Sequence, residues 1–174
     1  GMTETGVIAQ NPLPPGRRRA GSAGLPVDNE FAILDGAGAR LPPVEVGEIV
    51  VRGPEVFGGY EDNPEANREA FCDGWFRTGD LGYVDRDGYL FIVGRVKELI
   101  NRGGFKVSPA TVDAALLRHP AVGDAATFAM PHPTLGEDVV TAVVLRAGVH
   151  VTPQALRDFA FAHLSAFMVP SQVM

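Results

Sequence analysis

The sequence changes character across one stretch, Gly94-Arg95-Val96-Lys97-Glu98-Leu99-Ile100-Asn101-Arg102-Gly103-Gly104-Phe105-Lys106-Val107-Ser108-Pro109, and that seam constrains the fold more than any other feature. A strand-like run, Tyr89 to Val93, enters it. The Gly103-Gly104 pair in its middle admits backbone angles closed to other residues, and Ser108-Pro109 opens a helix beyond. Arg95, Lys97, Glu98, Arg102 and Lys106 crowd the same segment. A buried connection would not carry that density of charge, whereas a hinge that turns one domain against another over an anionic ligand would. The expectation is therefore two small domains, residues 1–96 and 97–174, and a chain of 174 residues with 45% hydrophobic content can bury two modest cores.

Ahead of the seam the chain reads as short strands and turns, in keeping with 21 glycines and 14 prolines. Residues 6–23 hold Pro12, Pro14, Pro15 and Gly16 and are expected to be a loop. Its Arg17-Arg18-Arg19 triplet is either a solvated turn or a grip for a phosphate. Phe31 to Leu34 and Glu48 to Val51 read as strands closed by turns, part of a sheet or small barrel. Asn63-Pro64-Glu65 supplies a cap, a proline at the first helical position and an early acid, so Pro64 to about Phe71 should be helical. Leu81 to Val84 and Tyr89 to Val93, joined by Asp85-Arg86-Asp87-Gly88, form the clearest hairpin signal.

Beyond the seam, Ser108 should cap a helix that Pro109 starts, with Val112, Ala115 and Leu116 on one stripe and His119-Pro120 as its stop. Two strands are expected at Ala125–Met130 and Val139–Arg146, separated by a break at Pro131-His132-Pro133. Thr152-Pro153 starts a second helix with Leu156, Phe159, Ala160, His163 and Leu164 on one face, His163 as a packing residue. The fold class is thus α+β: a β-rich, barrel-like subdomain followed by a small α+β domain with helices covering one sheet.

Composition excludes several functions. A formal charge of −6 and a pI near 5.1 argue against a nucleic-acid partner, which needs a basic surface. No apolar run is long enough for a membrane span, and the start lacks a basic-then-apolar signal. The single cysteine, Cys72, excludes an internal disulfide and fits a cytoplasmic setting, where it serves as a small apolar filler. His119, His132, His150 and His163 lack metal-ligand spacing, and no serine sits in a nucleophile elbow.

Within Trp75-Phe76-Arg77-Thr78-Gly79-Asp80-Leu81, Asp80 follows a glycine at the mouth of the hairpin. A carboxylate there suits a vicinal diol such as a ribose, since it only accepts hydrogen bonds. By itself a Thr-Gly-Asp is more often a turn. Arg95, past the second hairpin strand, can reach the same ligand, or pair with Asp80 or Glu98.

Gly1-Met2-Thr3-Glu4-Thr5, Gly47 to Gly53 with Gly59-Tyr60, Phe76 to Leu81 and Gly94 to Pro109 form an ordered set. Together they resemble the AMP-forming acyl-CoA synthetase superfamily, which also holds luciferases and nonribosomal-peptide adenylation domains. Lys97 to Gly104 with Lys106-Val107-Ser108-Pro109 looks most like small-acid CoA ligases such as the oxalate–CoA ligase group. The resemblance implies that Thr3 touches the nucleotide phosphate and that Glu4 holds Mg²⁺. It further implies that Asp80 binds both ribose hydroxyls, Arg95 helps hold the nucleotide, and Ile92 lies against the adenosine. Lys97 would be the hinge, and Gly103 and Gly104 would flank the pantetheine tunnel. Residues 1–96 would be the end of the large adenylating domain and 97–174 its mobile lid.

The implied cofactors and substrates are ATP/AMP, Mg²⁺, CoA and a small-molecule carboxylic acid. The phosphate loop and acid pocket would lie ahead of Gly1 and the lid's catalytic lysine past Met174, so the chain alone is expected to form no adenylate. Self-association through an apolar face of residues 1–96, which in the family packs on neighbouring subdomains, is a further expectation. Two other readings stand beside this one: an adenylation domain that loads a carrier protein, and a non-catalytic interaction module.

Overall fold

A computed structural model describes all 174 residues. The chain divides into two compact units, Gly1–Val96 and Lys97–Met174. Both combine strands with few helices, so the architecture is α+β.

The first unit contains β1 (Ala9–Gln10), β2 (Leu25–Pro26), β3 (Glu30–Leu34), β4 (Gly47–Arg52), α1 (Pro64–Ala70), β5 (Phe71–Cys72), β6 (Trp75–Val84) and β7 (Leu90–Arg95). β1 pairs β2, and the main sheet runs β3-β4-β6-β5 with β7 added on β6, all antiparallel. Ile49, Val50 and Val51 are all buried, which explains why β4 reads as a continuous apolar run: both of its faces are covered. The core of Ile8, Ile33, Ile49, Val51 and Leu90 is padded by Met2, Ala23, Leu41 and Val56, residues of turns and loops. α1 begins as its sequence dictates, with Asn63 Oδ1 accepting the Ala66 N–H, yet it buries no residue.

The segment read as a plain loop, residues 6–23, contributes β1, and its arginine triplet divides. Arg17 and Arg18 are exposed. Arg19 instead pairs with Asp85 and Asp87 at the tip of the β6–β7 hairpin and lies 5.0 Å from the centre of the Tyr89 ring. The Tyr89 hydroxyl donates to the Arg17 carbonyl. Burial pushes the Asp85 carboxyl up, but hydrogen bonds from the Tyr89 N–H, Arg19 and the Asp87 N–H outweigh it and hold the group below the usual carboxylate range. Cys72 is half-buried in β5.

The second unit holds β8 (Ile100–Arg102), β9 (Phe105–Val107), α2 (Pro109–Leu116), β10 (Val122–His132), β11 (Gly136–Leu145), α3 (Pro153–His163) and β12 (Gln172–Val173). Its sheet runs β10-β11-β8-β9, with β12 parallel to β11. Both helices feed its core: Val112 and Leu116 from α2, Leu156 and Ala160 from α3, against Ile100, Val107, Val122 and Val139. The stripe spacing read for both helices is thus the packed face, with one exception. His163 is exposed and stays out of the core, but it does pack on its own helix, its ring 4.2 Å from that of Phe159 and its Nδ1 2.8 Å from the Phe159 carbonyl.

Two other local expectations shift. Pro131 and His132 do not break the chain but finish β10, opposite Glu137 and Gly136. β10 is an edge strand, where a sheet tolerates proline. Ser108 stands at the N-cap of α2 without a side-chain capping bond, whereas Thr152 caps α3 by accepting the Ala155 N–H at 3.2 Å.

Candidate functional site

β6 carries an irregularity at the tripeptide singled out above. Val50 faces Arg77 and Glu48 faces Leu81, so Thr78, Gly79 and Asp80 bulge opposite Ile49. Gly79 takes φ of +71°, a conformation that favours glycine, which is why the strand can continue through it. The buried Thr78 hydroxyl donates to the Ile49 carbonyl at 2.7 Å and accepts the Asp80 N–H at 3.0 Å. Glu48 holds the other side, accepting the Gly79 N–H on Oε1 and Arg77 on Oε2. The bulge therefore gives Asp80 a fixed backbone, with its carboxylate partly open to solvent.

Asp80 lies directly across from Arg95 in the β6–β7 register, and Arg95 Nε donates to Asp80 Oδ1 at 2.7 Å. The pair is more than half exposed at the arginine, so its worth to stability is small. A pocket of about 60 Å³ opens beside it, lined by Asp80, Thr78, Ile92, Leu90, Ala23 and the start of the chain at Gly1 and Met2. Ile92 is 57% exposed on this pocket, an apolar side chain without cover of its own. The lining is thus mostly apolar with one carboxylate, Asp80, whose guanidinium partner Arg95 lies outside it.

Thr3 and Glu4 sit in the turn that Met2 and Gly6 close, with the Thr3 side chain exposed. The turn is pinned from three directions: the Phe57 N–H on the Glu4 carbonyl at 2.8 Å, Asn29 Nδ2 on the Thr5 carbonyl at 2.8 Å, and the Val7 N–H on Glu55 Oε2 at 3.2 Å. Asn29 is buried and also accepts the Glu55 N–H, so one side chain ties the turn to the loop after β4. No cluster of three or more histidine, cysteine or carboxylate groups exists to hold a metal alone. Glu4 is a lone carboxylate outside the ion pairs of Arg19, Arg52, Arg77 and Arg95 with Asp85, Glu30, Glu48 and Asp80, which fits Mg²⁺, a cation bound through one or two carboxylates together with phosphates.

Structure therefore gathers Asp80, Arg95 and Ile92 on one hairpin, with Met2 of the Thr3–Glu4 turn on the same pocket. Gly103, Gly104 and Lys97 belong to the second unit. Gly103 and Gly104, at φ of +58° and +90°, form the two-residue turn between β8 and β9, and a Cβ on Gly103 would stand 3.1 Å from Leu135 Cδ2. Lys97 is exposed in a single 3₁₀ turn, Val96–Glu98. Arg102, just ahead of the glycines, pairs with Asp138 at 2.8 Å and donates to the Phe167 and Val169 carbonyls, fastening the tail of the unit to its sheet. Asn29 was missed by sequence reasoning and carries no local signal, because its partners lie 24 and 26 residues away; Thr78 stood in the Thr-Gly-Asp tripeptide, but its bond to the Ile49 carbonyl, 29 residues back, had no local sign.

Two family models match the chain: AMP-binding enzyme over residues 1–61 and AMP-binding enzyme C-terminal domain over residues 111–174. The chain belongs to the AMP-binding enzyme family. Among proteins of this family it is 49% identical, over 99% of its length, to an oxalate–CoA ligase of Arabidopsis thaliana. It is 46% identical over the same share to a sulfoacetate–CoA ligase of Cupriavidus necator. It spans about a third of these relatives, 34% of each. The crystal structure of ATP-bound MatB from Rhodopseudomonas palustris matches all of the chain at a TM-score of 0.92 and 36% identity, over 35% of that protein. The adenylate-forming architecture and the small-acid ligase resemblance read from the motifs both agree with these findings. No helix of this family member is long and apolar enough to cross a membrane.

Proposed function

We propose that this chain is the nucleotide-holding C-terminal portion of an AMP-forming ligase that joins a small carboxylic acid to CoA. The observation that carries the reading is a pocket lined by both the exposed Ile92 and Asp80, with Arg95 bonded to that carboxylate. That combination suits a ribose diol on the carboxylate, a purine against the aliphatic side chain and a guanidinium near phosphate. Membership in the AMP-binding family, and relatives that activate oxalate and sulfoacetate, support a compact, multiply charged acid as substrate.

In the first step a carboxylate oxygen bonds to the α-phosphorus of ATP and the bond to pyrophosphate breaks. In the second, the CoA sulfur bonds to the acyl carbon, the bond to AMP breaks, and the thiol proton is released. In this reading Thr3 donates its hydroxyl to phosphate, Glu4 holds Mg²⁺, Asp80 accepts from both ribose hydroxyls and Arg95 steadies the nucleotide. Mg²⁺, when bound, supplies neutralisation of the charge gathered on the phosphates. Lys97 is the pivot, and the Gly103-Gly104 turn leaves backbone unshielded by side chains for a narrow pantetheine arm.

Calorimetry of the chain with AMP tests the reading, with pyrophosphate exchange as its counterpart. AMP is expected to bind, and exchange with ATP and a panel of small acids is expected to stay at background, because the chain spans only a third of its relatives. Absence of AMP binding, or clear exchange by the chain alone, would contradict the proposal.

A further inference from the structure

Tyr60 lies outside the pocket and has no role in the reading above, yet its placement is specified from three sides. Its N–H donates to Asn67 Oδ1 at 2.7 Å, and Asn67 Nδ2 donates back to the Tyr60 carbonyl at 2.9 Å, so α1 grips the backbone of this residue in both directions. The grip depends on the residue before it. Gly59 takes φ of +125°, and a Cβ there would stand 2.9 Å from Asn67 Oδ1. The ring packs edge-on against Phe57 with centroids 4.8 Å apart, and Phe57 itself donates its N–H to the Glu4 carbonyl. From this seat the Tyr60 hydroxyl donates to Glu4 Oε1 at 3.3 Å.

A tyrosine kept only for packing would bury its ring and leave its hydroxyl to water. Here the residue is 38% exposed, and the hydroxyl is spent on the one carboxylate of the Thr3–Glu4 turn. The ion pairs Arg19–Asp85, Arg52–Glu30, Arg77–Glu48 and Arg95–Asp80 engage other carboxylates, and the bond from Tyr60 engages one Glu4 oxygen of two. We propose that Tyr60 is a positioning residue, fixed by Asn67 and Phe57, that holds one oxygen of Glu4 so that the other is aimed at the metal accompanying the nucleotide phosphates. The idea rests on the assignment of Glu4 to Mg²⁺ in the proposed function. Partners that orient a metal's ligand without touching the metal commonly change its affinity by about 10-fold or more. A flexible glutamate on a surface turn gains most from such a partner, because the rotamers it would otherwise lose on binding are already restricted.

Tyr60→Phe keeps the ring against Phe57 and removes only the hydroxyl. The informative quantity is the ratio of ATP affinity with excess Mg²⁺ to that with a chelator, measured by calorimetry on the whole chain, with AMP as the metal-independent reference. Wild type should show a Mg²⁺-dependent gain and Glu4→Gln none. Tyr60→Phe should lose about 10-fold of that gain with AMP affinity and thermal midpoint unchanged. A full Mg²⁺ gain in Tyr60→Phe would overturn the inference. Failure of AMP itself to bind strikes the proposed function, whereas AMP binding together with a full Mg²⁺ gain in Tyr60→Phe strikes the role of the tyrosine alone.

Discussion

The two units solve the same packing problem by different means. In Lys97–Met174 the sheet is roofed by α2 and α3, whose apolar stripes supply Val112, Leu116, Leu156 and Ala160 to one continuous core. In Gly1–Val96 the lone helix buries nothing, and the sheet is closed by loops that polar groups hold in place. Arg19 ties one loop to the hairpin tip, Asn29 ties the Thr3–Glu4 turn to the loop after β4, and Glu48 with Thr78 fixes the bulge at Asp80. A sheet closed this way leaves Ile92 of β7 exposed, and Asp80 of β6 and Glu4 partly so, where a ligand can reach them. A helix-covered sheet has fewer such openings.

The contrast is broken most directly in the helical core. Leu156→Ala removes a fully buried side chain and should cost the second unit about 2–5 kcal/mol, while Trp75, the sole tryptophan and a residue of the first unit, keeps its native fluorescence to the same denaturant concentration. Joint loss of both signals would mean that the units do not unfold separately. Next in size is Asn29→Ala, which strips the Thr5 carbonyl and the Glu55 N–H of a buried partner and should cost about 1–3 kcal/mol, read as a lower denaturation midpoint of the Trp75 transition alone.

Acid separates the units by sign. The Asp85 carboxyl is held low in the folded state, so it contributes stability above its unfolded value of about 3.9, lost as pH falls through the lower folded value. In the second unit, burial and the nearby Asp124 push the Asp113 carboxyl up against hydrogen bonds from Thr127. Its protonated form is favoured by folding, so that stability is present below the unfolded value and lost as pH rises through the raised one. Asp85→Asn should remove acid sensitivity from the Trp75 transition, and Asp113→Asn should remove the loss on raising pH from the second unit, both followed as melting temperature against pH. The smallest effect is expected at Val44, an exposed β-branched residue at φ of +69°. Val44→Asn should raise stability by about 1 kcal/mol, seen as a small upward shift in melting temperature.

Much of the fold was legible because its causes are local. Asn63-Pro64 and Thr152-Pro153 start helices where side-chain caps and a fixed proline φ demand them, and Asp85 to Gly88 turns a hairpin. Legibility fails where distance decides. The β8–β9 hairpin inside the charged seam was hidden because three-residue strands leave no alternating pattern, and only the glycine pair between them spoke. Pro131 read as a break because nothing in the sequence says that β10 is an edge. Arg19 looked like a surface charge because Asp85 lies 66 residues on. At the site, Asp80 and Arg95 were readable as ends of one hairpin, but the bulge that presents Asp80 depends on Glu48 and Ile49 of a strand some thirty residues earlier.

The measurement closest to the central claim pairs a change in the ligand with a change in the protein. AMP and its 2′,3′-dideoxy analogue are titrated into wild type and Asp80→Ala. If Asp80 reads the ribose diol, removing the hydroxyls and removing the carboxylate each cost about 10-fold or more, and the two together cost little beyond either alone. Equal binding of AMP and its dideoxy analogue by wild type, or losses that simply add, would contradict it.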